Sequence, residues 1–222
     1  MRPATVRSHQ NLSVGGKVRK GEKTRQEIIR KAAPLFNQKG FEGTALSDLM
    51  EATGLEKGGI YRHFDSKQEL AEEAFDHAWK LVMDARFEGV DEIPNSVDRL
   101  HRLLRNCQER QVGLVPGGCP LVNTAIESDD GNLKLRNKAR HALNSWLDRL
   151  KSIVEEGQRK GEIRSDDDAE ELATLIVTTL EGSLMVSRLE PNGNSLGLAC
   201  GHLENYLEAN VRAGKSKSGA KL

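Results

Sequence analysis

Lys57, Tyr61, Arg62, His63 and Lys67 fall within one short stretch that also holds the pair Gly58-Gly59. Cations, a phenol and an imidazole at this density suit nucleic acid. Ammonium groups attract the phosphate backbone, polar tips hydrogen-bond to its oxygens, and an arginine fork fits the edge of guanine. Arg62 is the residue placed to read a base. Two successive glycines weaken a helix by about 1 kcal/mol each relative to alanine, and they admit close approach of another backbone. Thr44, upstream, can cap a helix and offer its hydroxyl to a phosphate. A different chemistry belongs to Cys119, bracketed by Pro116, Gly117, Gly118 and Pro120 at the start of a short helix reaching about Glu127. A helix N-terminus lowers a thiol pKa and makes the sulfur reactive, so one reading is a redox sensor that responds to oxidants or electrophiles. The competing reading is a small hydrophobe packed at a tight corner.

The elements that must position the first group follow from apolar spacing. Leu46, Leu49 and Met50 repeat at helical intervals, Gly54 breaks the pattern, and a second short helix from Lys57 buries Ile60 and Phe64. Lys57, Gly58, Gly59, Tyr61, Arg62 and His63 remain on its outward side. One helix buttresses while the other enters the major groove, the arrangement of a helix-turn-helix. Before it, Ile28, Ile29, Ala32, Ala33 and Phe36 mark a helix from about Thr24 to Lys39, stopped by Gly40 and kinked at Pro34. Thr44 is the expected cap of the next helix.

Phe36, Gly40, Phe41, Thr44, Lys57, Gly58, Ile60, Tyr61, His63, Phe64, Ser66 and Lys67 stand at the spacing of a known pattern. Through them, from roughly Thr24 to Leu70, the chain resembles the DNA-binding domain of TetR/AcrR-type transcriptional regulators. It departs from that pattern at Glu56 and Gly59, where relatives often carry hydroxyl residues. The resemblance implies an all-α protein: an N-terminal three-helix helix-turn-helix domain followed by a C-terminal helical domain for ligand binding and dimerisation. It also implies that an effector favours a body conformation with misplaced heads.

Charge is distributed to match. The 222 residues carry a formal net charge of zero, yet Met1 to Lys67 hold 13 Lys/Arg against 7 Asp/Glu, and the remainder is acidic. A basic head on an acidic body localises attraction for phosphate at one end. We expect a disordered basic arm over 1–21, the DNA-binding head over 22–66, the body over 67–213 and a flexible tail over 214–222. No signal peptide is visible, and no stretch approaches the roughly 20 apolar residues of a membrane span. Cys107, Cys119 and Cys200 are in no metal-ligand spacing and suit a reducing cytoplasm. No motif calls for a cofactor.

Every strong pattern after Asp65 is helical. A long connecting helix runs from about Lys67 to Phe87, and further stripes follow Pro94, Leu133 and Asp168. Leu100, Leu104, Cys107, Cys119, Leu121, Val122, Leu143 and Trp146 are positioned to line an effector cavity for an apolar or electrophilic molecule, or else to fill a solid core. Ser165 with Asp168 resembles a capping box. The last two helices, with stripes wider than one core contact needs, form a self-complementary interface between two subunits. The reading is a homodimeric repressor of a palindromic duplex operator, not an enzyme. The alternatives are a cysteine enzyme pairing Cys119 with His101 or His141, and a helical adaptor whose head binds protein.

Overall fold

The computed structural model describes residues 20–110, 114–129, 131–190 and 193–214. Most of the basic arm and nearly all of the C-terminal tail lie outside them. Among the described residues there are nine α-helices: α1 (Lys20–Gly43), α2 (Leu46–Thr53), α3 (Lys57–Ile60), α4 (Lys67–Arg86), α5 (Ser96–Arg110), α6 (Pro120–Glu127), α7 (Leu133–Arg159), α8 (Ala169–Leu189) and α9 (Ser195–Tyr206). The chain then makes one π-helical turn, Leu207–Val211. The all-α expectation holds.

Local chemistry explains the boundaries. Gly40 is the non-helical residue inside α1, at φ 74°, so the bend falls there and the backbone passes through Pro34 as helix. Gly54 closes α2 in the left-handed conformation, at φ 71°, which glycine adopts without a Cβ clash. Ser66 caps α4 by accepting from the Glu69 N–H at 3.1 Å. At α8 the capping residue is Asp168 itself, accepting from the Glu170 and Glu171 N–H groups, and not the Ser165 pairing expected from sequence.

The apolar stripes assemble two cores. Ile28, Ile29 and Ala32 of α1 meet Leu49, Ile60 and Phe64, and α4 completes this head core with Leu70, Ala74, Ala78 and Val82. Val115, from the segment before α6, is buried in the same cluster. The larger body core gathers α5, α7, α8 and α9 around Trp146 and takes Phe75 and Phe87 from the α4 side. One helix therefore contributes to both cores.

A polar seam joins them beside α4. Asn123 of α6 donates through Nδ2 to the Asn37 carbonyl at 3.0 Å and the Gly117 carbonyl at 2.9 Å. Asn37 Nδ2 in turn donates to the Pro116 and Gly118 carbonyls at 2.8 and 2.9 Å. The Glu127 carboxylate accepts from the Glu42 N–H at 3.1 Å.

Helix α8 is longer and more apolar than the sequence reading allowed. Its most apolar window has a mean hydropathy of 1.3, enough by length and composition to cross a membrane. Packing accounts for it, because α8 is apolar on two faces. Leu172, Ile176, Leu180 and Leu184 enter the body core, while Leu175, Met185, Val186 and Leu189 stand exposed, as does Leu198 of α9.

Candidate nucleic-acid interface and body cleft

Helix α3 opens at Lys57 and closes at Ile60, with Tyr61 as its C-cap. Tyr61, Arg62 and His63 therefore lie in the turn after it, not along the helix as the spacing suggested. Ile60 and Phe64 are almost fully buried and anchor the segment from beneath. Lys57, Gly58 and Arg62 are exposed, whereas Gly59, Tyr61 and His63 are half-buried at its flanks. A Cβ built at Gly58 meets nothing within 4 Å. Packing within the protein thus gives no reason for glycine at that position.

Arg25 fixes where this segment ends. Its guanidinium stacks over the Phe64 ring at 4.5 Å, and its Nε donates to the His63 carbonyl at 3.3 Å. The same group bonds to Glu69 at 2.9 Å and to Glu73, both on α4. Glu69 also accepts from the Asp65 N–H at 2.6 Å. The turn is thereby tied to two helices at once. Arg25 was not singled out from sequence, although it stands one turn ahead of the apolar stripe of α1 and faces the same side as Ile28 and Ile29.

Thr44 departs from expectation. It is 0% exposed, and its hydroxyl donates to the Gly40 carbonyl at 2.6 Å. This bond ties the Thr44 side chain back to the bend at Gly40. The N-cap of α2 is Ala45, whose N–H is received by Asp48 at 2.9 Å. Hydrogen bonds from Lys39 and from the Ala45 N–H hold the Asp48 carboxyl below its usual range. The Thr44 hydroxyl is thus turned away from any surface phosphate. Lys67 begins α4 half-buried, with its ammonium over the Phe41 ring at 4.5 Å.

In the body, the eight residues proposed to line a cavity separate. Leu100, Leu104, Cys107 and Trp146 are sealed in the core at 0% exposure. Leu121, Val122 and Leu143 instead share an open cleft of about 400 Å³ between α6, α7 and α8, walled also by Ala139 and Val177. Cys119 and Val122 line a smaller neighbouring cleft of about 150 Å³. Glu181 lines both. Periodicity alone could not separate a cavity wall from a packed core.

Cys119 caps α6 by position, yet its thiol is not activated. It is nearly buried, and desolvation reinforced by the Glu181 carboxylate pushes its pKa up to about 12. Burial outweighs the helix terminus, so the reactive-thiol expectation fails. Its sulfur donates to Glu181 Oε1 at 3.2 Å and stands 4.0 Å from Arg86 Nη2. A carboxylate and a guanidinium occupy the place an enzyme would give to a histidine. His101 is engaged elsewhere, with Glu208 at 2.9 Å, and His141 is exposed on α7.

Sequence reasoning missed the ion pair at the centre of this region. The Arg86 side chain is 2% exposed and bonds to Glu181 at 2.8 Å, while its guanidinium lies over the Trp146 ring at 4.1 Å. Both charges sit where an apolar residue was due: Arg86 continues the Ala78-Val82 row of α4, and Glu181 interrupts the stripe of α8. A charged residue in phase with an apolar stripe is the signal that could have found them.

Comparison with known proteins agrees with this architecture. Residues 28–74 match the family described as bacterial regulatory proteins, tetR family, and residues 96–203 match the tetracyclin repressor-like C-terminal domain. The fold is similar to a TetR transcriptional regulator from Chloroflexus aurantiacus, at 42% identity and a TM-score of 0.83, covering 88% of this chain and 99% of that one. A TetR-family regulator from Cytophaga hutchinsonii is 34% identical with a TM-score of 0.83, covering 90% of this chain and 100% of that one. Among curated relatives, the repressor DhaR of a Mycobacterium species is 25% identical over 78% of this chain and 86% of its own length. The chain belongs to the TetR family of DNA-binding transcriptional regulators, with its helix-turn-helix in α1 to α3 and its dimerisation surface on the C-terminal helices.

Proposed function

We propose that the protein is a cytoplasmic repressor that holds a palindromic operator as a homodimer and releases it when a small apolar molecule enters the body. The observation that carries the DNA half is the outward set around α3: Lys57, Gly58 and Arg62 exposed over the buried pair Ile60 and Phe64. Lys57 and Lys67 attract phosphate, the bare backbone at Gly58-Gly59 comes close to the duplex, and Tyr61 and His63 reach phosphate oxygens from the flanks. Arg62 reads a base edge. Repression is favoured by the relatives DhaR of Mycobacterium and ComR of Escherichia coli, both described as transcriptional repressors. The apolar walls of the α6–α7–α8 cleft, together with a protonated Cys119, favour an apolar effector over an electrophile.

Selection of bound duplexes from a random pool tests the reading. It should return an inverted repeat bound by two chains, with affinity falling steeply as salt rises. Recovery of a single half-site with one chain bound would remove the palindromic model. Affinity insensitive to salt would remove DNA binding by this surface.

A further inference from the structure

We propose that the cleft between α6, α7 and α8 takes an apolar molecule with one hydrogen-bond donor, such as a phenol, alcohol or amine, and that Glu181 receives the donor. The proposal rests on the effector reading above and adds the ligand's chemistry. Leu121, Ala139, Leu143 and Val177 make the walls apolar, and a volume of about 400 Å³ suits a molecule of one or two rings. Of the polar residues that also line it, Asp129, Arg140 and Thr178 are exposed and Arg136 is half-buried, whereas the Glu181 side chain is only 11% exposed.

Its two oxygens are in different positions. Oε1 already receives Arg86 Nη2 at 2.8 Å and the Cys119 thiol at 3.2 Å. Oε2 is buried with no donor among the described residues. A buried carboxylate oxygen without a donor has given up its water and gained nothing in return. A ligand bringing one N–H or O–H restores that bond once the Glu181 side chain turns Oε2 toward the cleft. Because Arg86 already balances the charge of Glu181, the donor need not be a cation. A carboxylate on the ligand meets Glu181 with like charge and is drawn instead to Arg136 and Arg140, away from the Glu181 side chain.

Occupancy also has a route to the head. Glu181 holds Cys119 at the start of α6, and Asn123 and Glu127 of the same helix hold Asn37 and Glu42 of α1. Drawing Glu181 toward a ligand loosens its grip on Cys119 and frees α6 to shift against α1.

Three probes of one shape test the idea on the full-length protein by equilibrium dialysis: 2-naphthol, 2-methoxynaphthalene and 2-naphthoate. We expect 2-naphthol to bind about tenfold or more tightly than its methyl ether, and more tightly than the anion that Arg136 and Arg140 attract. Leu143→Trp, which fills the cleft, should weaken all binding. Glu181→Gln should erase the preference for the donor, because an amide can itself donate to the ether. Equal binding of 2-naphthol and its ether, tightest binding of 2-naphthoate, no binding by any probe, or indifference to Leu143→Trp would each overturn the proposal. Operator release, followed in parallel by fluorescence anisotropy, separates the two readings. Donor-selective binding without release leaves the Glu181 site standing and removes the effector role. Release by probes that show no donor preference does the reverse.

Discussion

Charge is used in opposite ways by the head and the body. In the head it stays at the rim of a small apolar cluster, where Lys57 and Arg62 face solvent and Arg25 clamps the turn that follows α3. In the body a guanidinium and a carboxylate lie inside the core, against Trp146 and Cys119. The head therefore displays its charges, whereas the body conceals this pair. Surface cations act over distance and tolerate small displacements; a buried pair acts only on what reaches it and depends on its geometry.

The sharpest way to break this contrast is Glu181→Leu, which removes the carboxylate bound by Arg86 Nη2. We expect a loss of about 3–5 kcal/mol in denaturant unfolding, with most of it recovered when Arg86→Met is added. A head cation such as Arg62→Ala should change stability by less than about 0.5 kcal/mol. If the double variant were no more stable than Glu181→Leu alone, the buried charge would not be the source of the cost.

Asn123→Ala removes the amide that spans the seam and should cost about 1–3 kcal/mol. Trp146 lies in the body core whereas Trp79 packs against both cores, so in a Trp79→Phe background tryptophan fluorescence follows the body while far-UV circular dichroism follows both parts. The two melting curves should coincide in that background and separate in the variant, with ellipticity falling first. Curves that remain superimposed would show that α4 alone unites head and body.

Gly58→Ala sharpens the contrast within the head. Open space at that position predicts unchanged stability, or a gain of up to about 1 kcal/mol from helix propensity. On the DNA contact proposed above, operator affinity should nevertheless fall about tenfold, because the new methyl would stand in the way of the DNA backbone. Lys57→Ala is milder still and should reduce the slope of log affinity against log salt by about 1.

A pH dependence also originates in the body. Burial raises the Cys107 and Cys119 thiols to about 12, against 9.0 for a free thiol. The unfolded chain loses these protons first, so their contribution to stability is complete below pH 9 and disappears as pH rises toward 12. Denaturation between pH 8 and 10.5 should show that decline, and Cys119→Ala should make it shallower.

How much of this was legible in the sequence follows the same division. Helix positions came from apolar spacing, and the anchoring of Ile60 and Phe64 came with them, because burial repeats with the helical period. Thr44 was misread because its hydroxyl turns back to the carbonyl of a bend four residues earlier, at Gly40. Tyr61 to His63 were placed on a helix that ends before them, since a helix of four residues is too short for periodicity to fix its end. Leu143 and Leu104 look alike as stripe residues, yet one lines a cleft and the other is sealed. That distinction is set by neighbouring helices, and one helix's pattern does not contain it. Cys119 was judged by its place on a helix, while the desolvation that decides its ionisation comes from α4 and α8.

The double service of α4 has a consequence for anyone who would transplant the DNA-reading part. A fragment cut at the Asp65–Ser66 loop would lose Leu70, Ala74, Ala78 and Val82, and Ile28 and Phe64 would face water where that helix had stood. The portable unit runs through Arg86, and its far side must then be recoded, since Phe75 arrives expecting a partner that the graft leaves behind.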